Sequence, residues 1–235
     1  MIRVLFDLKK QYYLNSLKPV YDELANDSDY DIYLNIGNDQ RRFLGIFLIS
    51  EKKNIADRLI NQGYKLTDKT NGFDAVICGD ALKKPERYGD TKRFHLDHGV
   101  GIKTLRIRNI IRQKNYHYHV FLEGKYWYDY IKSIDAENKA DFYLTGIPKL
   151  DPFFIEGTYN NKNLTAKIGI NPHKKTVLFA PSYKPSCIKF VQEKLTDLLP
   201  EYNVIIKLHP YSWQGKYAPH SQHKFYEKLA KRNPN

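Results

Sequence analysis

The chain has 235 residues, 42% of them apolar and 14% aromatic, which is enough to bury a sizeable core and excludes a disordered or low-complexity sequence. Its 38 lysines and arginines against 26 acidic residues leave a net charge of +12, favouring anionic partners: phosphorylated metabolites, nucleic acid or an acidic membrane surface. No run of eighteen apolar residues occurs, which excludes a membrane-spanning helix, and the apolar run in the opening MIRVLFDLKK is too short for a signal peptide.

Taken in chain order, IRVLFDL (2–8) is a continuous apolar run suited to a strand buried on both faces, and helical spacing follows over 12–25. YDIYLNI (30–36) and GIFLIS (45–50) read as the next strands. Residues 51–62 place Ile55, Leu59 and Ile60 on one helical face, and Gly63 is a natural stop. FDAVICGD (73–80), KRFHLDHG (92–99), YHVFLEG (118–124) and DFYLTGIP (141–148) read as further strands, with the aromatic helix KYWYDYIKS (125–133) after the third of them. Strands alternating with helices predict a parallel sheet covered on both faces.

Pro148, Pro152, Gly157 and paired asparagines then interrupt any period, which predicts a domain boundary near residue 155 and domains over 1–155 and 156–235. Beyond it, KKTVLFAPS (174–182) and YNVIIKLHP (202–210) read as strands. Residues 188–199 read as one helix presenting Ile188, Val191, Leu195, Leu198 and Leu199, and HKFYEKLAKR (223–232) as a second. A doubly wound domain generally uses five or six strands, so the second domain reads as cut short. Cys78 and Cys187 lie far apart and read as free thiols of a reducing, cytoplasmic compartment, one disulfide being the alternative.

In open parallel sheets, ligands bind at the carboxyl ends of the strands. Four polar clusters fall at such places: His95 to Gly101, Gly146 to Lys149, Ala180 to Lys184, and Lys207 to Pro210. Turn chemistry alone accounts for any one of them. In the first, Gly99 and Gly101 let backbone amides approach an anion, Lys103, Arg106, Arg108 and Arg112 follow, and His98 stands ready as a general base or as an ordinary hydrogen-bonding residue. In the last, Pro210 biases His209 towards extended backbone, and Lys207 shares its side of the strand. The two glycines do not make the dinucleotide fingerprint, which needs a third and a place after the first strand, and no cofactor is expected. His95 with Asp97 and His98, or His117 with His119, are of ligand type, but no cysteine pair lies near either, the sequence places no further ligand to complete a site, and no metal is expected.

As an ordered set the four clusters resemble the CDP-glycerol glycerophosphotransferase family, which builds teichoic-acid-type polymers. Asp97–His98–Gly99–Val100–Gly101–Ile102–Lys103 matches its W-H-G-x-x-L-K-like segment, with Asp97 in the place of tryptophan. Gly146–Ile147–Pro148–Lys149–Leu150–Asp151 matches a G-x-P-R-x-D-like turn, Ala180–Pro181–Ser182–Tyr183–Lys184 an A-P-T-W-R-like strand end, and His209–Pro210 an H-P strand end. The family's acidic-Ser-Ser donor segment has no counterpart before Asn235.

The resemblance implies a GT-B-like α/β fold of two Rossmann-like, doubly wound domains, and transfer of a glycerol-phosphate or related alditol-phosphate unit from CDP-glycerol to a hydroxyl of a lipid-linked anionic acceptor, releasing CMP. It implies His98 as base and His209 as the group assisting the donor phosphates, with Gly99, Gly101, Lys103, Lys149, Asp151, Ser182, Lys184 and Lys207 binding substrate. A lipid-linked acceptor implies peripheral contact with the inner face of the plasma membrane. Two other readings compete. HLDHGVGIKT can be laid on the H-x-E-A-G-L-R-T segment of UDP-N-acetylglucosamine 2-epimerases, although the glycine-rich turn after strand one is absent. The chain also reads as a truncated, non-catalytic nucleotide- or phosphopolymer-binding protein. Nucleic acid is not expected as a partner, because the basic run 106–114 lacks interleaved aromatics.

Overall fold

The structure, a computed structural model, describes residues 1–43, 47–99, 104–135, 137–155, 165–183, 186–213 and 222–233. The chain divides into two compact units, Met1–Asp39 with Glu51–Glu156, and Gln40–Ser50 with Gly157–Asn235.

The first unit is built on a six-stranded sheet. Strands β1 (Ile2–Leu8), β2 (Tyr30–Ile36), β5 (Ala75–Cys78), β6 (Lys92–Leu96), β7 (Tyr118–Leu122) and β8 (Asp141–Leu144) are all parallel, in the order β2-β1-β5-β6-β7-β8. Parallel neighbours need crossovers, and these supply α1 (Tyr12–Ala25), α2 (Lys52–Asn61), α3 (Thr104–Ile111) and α4 (Lys125–Ile134).

Alternation along β1 explains why its middle, Val4–Phe6, is continuously apolar. Leu5 faces one core with Val76, Tyr118 and Val120, closed by Ile107 and Ile110 of α3 and by Trp127 and Ile131 of α4. Val4, Phe6 and Leu8 face the other core with Ile77 and Leu96, closed by Leu14 and Leu17 of α1 and by Ile55 and Leu59 of α2. Each such fully buried aliphatic side chain contributes roughly 1.5–3 kcal/mol. On the α1 side the packing leaves a cavity of about 1090 Å³, lined among others by Leu24, Phe94 and Phe121.

Two expectations for residues 45–62 need correction. Residues 45–50 do not extend the parallel sheet: β4 (Phe47–Ser50) pairs antiparallel with β3 (Gln40–Phe43) as a separate hairpin. Strands joined by so short a connection can pair only antiparallel, since a parallel pair needs a crossover of a dozen or more residues. Ile60 is 56% exposed, while Ile55 and Leu59 are buried. At 3.6 residues per turn, the step from Leu59 to Ile60 carries the side chain about 100° off the buried face.

In the second unit, β9 (Lys175–Phe179) and β10 (Tyr202–Ile206) pair in parallel, and α5 (Gln222–Arg232) packs Tyr226 and Leu229 against Ile188, Leu195 and Leu208. The single helix expected over 188–199 is interrupted. A helical turn, Ile188–Val191, gives way to a 3-10 segment, Gln192–Leu198, with Gln192 at φ +35° between them. The positive φ breaks the α-helical hydrogen-bond ladder, and the tighter winding puts Leu195 and Leu198, three apart, on one side. Tyr226 reaches across to donate to the Ile188 carbonyl at 2.9 Å.

Candidate active site

The strand order reverses at β1, whose successors lie to either side as β2 and β5, so the carboxyl ends of β1 and β5 flank the crevice where doubly wound sheets bind ligands. The residues that emerge there are Lys9 after β1, Gly79 and Asp80 after β5, and Asp97 and His98 after β6.

His98 is 9% exposed and is held on several sides. The Ser16 hydroxyl of α1 donates to its carbonyl at 2.6 Å, fixing the backbone. The Tyr13 ring stacks on the imidazole with centroids 3.9 Å apart and planes 11° from parallel, and Tyr12 meets it edge-on at 5.7 Å. Both rings come from the first turn of α1, which the short Lys9–Gln11 connection sets above the strand ends. Gly79 completes the arrangement by having no side chain: a Cβ there would lie 3.1 Å from the Tyr13 ring and 3.3 Å from the His98 Cβ. Asp97 accepts from the Gly99 amide at 3.1 Å, so its carboxylate shapes the turn that carries His98.

Asp80 is the acidic partner of this cluster. It accepts from the Tyr13 hydroxyl at 2.5 Å and pairs with Lys9 at 3.3 Å. Burial alone would push its pKa up, but the Tyr13 hydrogen bond and the charges of Lys9 and His98 outweigh burial and hold it below the ordinary carboxylate value. Burial and the same hydrogen bond push the Tyr13 phenol up, so it stays protonated as the donor.

Next to Asp80 opens a recess of about 290 Å³ whose lining includes Lys9, Lys83, Lys84 and Arg87 with Asp7 and Tyr88. Tyr88 donates to Asp7, and burial raises the Asp7 pKa despite that bond and the nearby Lys9 charge. The recess therefore offers four cations at the mouth of the sheet, a setting for phosphate or another multiply charged anion.

The other residues singled out in the sequence are distributed as follows. Gly99 is half-buried beside His98. Gly101, Lys103 and Lys184 lie outside the described residues. Lys149 and Asp151 are exposed on a 3-10 turn, Pro148–Phe153, where Asp151 lines the large cavity rather than the basic recess. In the second unit, the half-buried His209 lies against Tyr183 with ring centroids 4.7 Å apart. Lys207 and Ser182 are exposed, and the Lys207 amide donates to the Phe179 carbonyl at 2.9 Å, extending the β9–β10 ladder. His95 is fully buried in the sheet, which removes it from any surface site with His98.

Sequence reasoning missed Lys9, Tyr12, Tyr13, Ser16 and Asp80. The available signal was the rule applied to the other clusters: FDLK and ICGD are also apolar strands ending in polar residues.

A family model for CDP-glycerol:poly(glycerophosphate) glycerophosphotransferases matches residues 91–233, well over half of the chain and a span that includes His98 and His209. The chain belongs to that glycerophosphotransferase family. No curated protein matches it. Among solved structures, S. aureus MnaA in complex with UDP is similar with a TM-score of 0.58 at 10% identity, over 97% of this chain and 65% of that one. The chain thus spans about two-thirds of the length of that protein, and the likeness shows a GT-B-like α/β fold. Among the described residues, no helix is long and apolar enough to cross a membrane.

Proposed function

We propose that this glycerophosphotransferase-family protein moves a glycerol-phosphate or related alditol-phosphate unit from CDP-glycerol or a similar CDP-activated donor to a hydroxyl of an anionic, lipid-linked polymer at the inner membrane face. The acceptor oxygen attacks the β-phosphorus and forms the new P–O bond. The bond from that phosphorus to the bridging oxygen breaks, CMP leaves with the electron pair, and the acceptor proton passes to His98. The negative charge of Asp80 favours the imidazolium so formed, while the Tyr13 stack and the Ser16 bond hold the ring in place.

The observation that carries this reading is His98 itself: a family-motif histidine held in a stack at the topological switch point, next to a basic recess. In this reading Lys9, Lys83, Lys84 and Arg87 receive acceptor phosphates. The second unit receives the donor, with His209 and Lys207 at its phosphates and Ser182 and Lys184 alongside, while Gly99, Gly101, Lys103, Lys149 and Asp151 complete the substrate contacts of the first.

The test is CMP release from CDP-glycerol by the purified protein, with a glycerol-phosphate-primed acceptor. His98→Gln is expected to lower turnover by roughly 10²–10⁴-fold with little change in KM for the donor. Epimerisation of UDP-N-acetylglucosamine without CMP release from CDP-glycerol would overturn the reading in favour of the epimerase type. Donor binding without turnover in wild-type protein would favour a non-catalytic binder.

A further inference from the structure

At the amino-terminal ends of β7 and β8, the opposite end of the strands from His98, three side chains converge that the proposed transfer does not use. His119 lies in β7 and His117 immediately precedes that strand, and their rings meet edge-on with centroids 5.2 Å apart. The parallel register sets Asp141 directly opposite His119. The Asp141 Oδ2 lies 3.0 Å from His117 Nε2 and 3.1 Å from His119 Nδ1, and all three ligand atoms lie within 4.8 Å of one another.

We propose that His117, His119 and Asp141 bind a divalent first-row transition-metal ion of the zinc type. Bonds of about 2.0–2.2 Å to one ion place its ligand atoms roughly 3.0–3.5 Å apart. Both histidine–aspartate separations already meet that spacing, and rotation of the half-exposed His117 ring closes the remaining pair. His119 is the fixed member: its ring stacks on Phe94 with centroids 4.8 Å apart and planes 18° from parallel. Two imidazoles and one carboxylate suit zinc, nickel, cobalt or copper over magnesium or calcium, which prefer all-oxygen sets. Three protein ligands leave a coordination position for water or a ligand, and the Tyr143 hydroxyl, 3.2 Å from His119 Nδ1, is in reach of a group bound there. Phe94 and Phe121 also line the 1090 Å³ cavity, so the ion sits at the edge of an apolar chamber.

The bland alternative is that the two histidines simply hydrogen-bond Asp141 and strap the edge strand β8 to β7. Calorimetric titration of zinc chloride into chelator-treated protein separates the two. Binding of one equivalent is expected, weakened about tenfold or more by either His117→Gln or Asp141→Asn and unchanged by His173→Gln, an exposed histidine on a turn of the second unit. His117 and Asp141 are both about half exposed, so the variants should fold, and circular dichroism checks that they do. Absence of stoichiometric binding, or binding that survives both substitutions, overturns the proposal.

Discussion

The ring of Tyr13 lies parallel to the imidazole of His98 at 3.9 Å, while its hydroxyl donates to Asp80 at 2.5 Å. One side chain thereby couples a histidine and a carboxylate that emerge from different strands. The two functions of that side chain, stacking and donation, can be removed separately.

Tyr13→Phe keeps the stack and loses the bond to a charged acceptor, at an expected cost of about 1.5–3 kcal/mol. Tyr13→Ala also loses the buried ring and should cost about 3–5 kcal/mol, the range for deleting a large buried aromatic. Urea unfolding of the two variants measures the difference. Equal losses would mean that the ring contributes nothing beyond its hydroxyl.

Asp80 gives a pH signature. Its folded pKa is held below the ordinary value, so its contribution to stability is full above about pH 4 and is lost as pH falls through the folded pKa. The stability advantage of wild type over Asp80→Asn should therefore be constant near neutrality and shrink below pH 4. A gap that stayed unchanged to pH 2.5 would contradict the arrangement.

Asp7 carries the opposite sign. Burial raises its folded pKa, so the protonated form favours folding at acid pH and that contribution disappears as pH rises through the raised value. Asp7→Asn, which still accepts from Tyr88, should be more stable than wild type at pH 7 and level with it below about pH 4. Thermal melts across that range check the crossing.

Gly79→Ala inserts a methyl group 3.1 Å from the Tyr13 ring and 3.3 Å from the His98 Cβ, so the stack must shift by a few tenths of an ångström. A stability loss of about 1–3 kcal/mol is expected, with a fall in turnover larger than the shift in donor KM. Gly124→Ala, with open space around its Cβ, is the matched control for stability.

In the second unit, the Asn203 side chain fastens the loop before β9. It donates to the carbonyls of Asn171 at 2.9 Å and Lys174 at 3.0 Å, and accepts from the Asn171 amide at 3.0 Å. Asn203→Ala removes these bonds, and a longer one to the Thr176 hydroxyl at 3.4 Å, at once and should cost about 1–3 kcal/mol, read by thermal unfolding. Asn203→Asp, which keeps only the acceptor, should fall between the two.

Much of the fold was legible because local chemistry carries it. The run 2–8 became a strand that feeds both cores, 30–36 became an edge strand burying Ile32, Leu34 and Ile36 on one face, and the period over 12–25 became α1 at the expected bounds. His98 was legible from its motif and its place at a strand end. Residues 45–50 and 188–199 were misread because short apolar segments do not say which neighbour they will pair with, or whether a continuing helix will meet a positive φ.

By itself, the sequence determined the alternation of strands and helices, the sheet class and the family motifs, since periodicity and strand-end chemistry act over a few residues. Tertiary structure alone decided which distant groups meet. Ser16 and Tyr13 reach His98 because α1 crosses the switch point, 82 residues away in the chain for Ser16, and Asp141 stands opposite His119 because the parallel register of β7 and β8 puts it there. Register and strand order come from packing whole faces together, and no local spacing encodes that partnership.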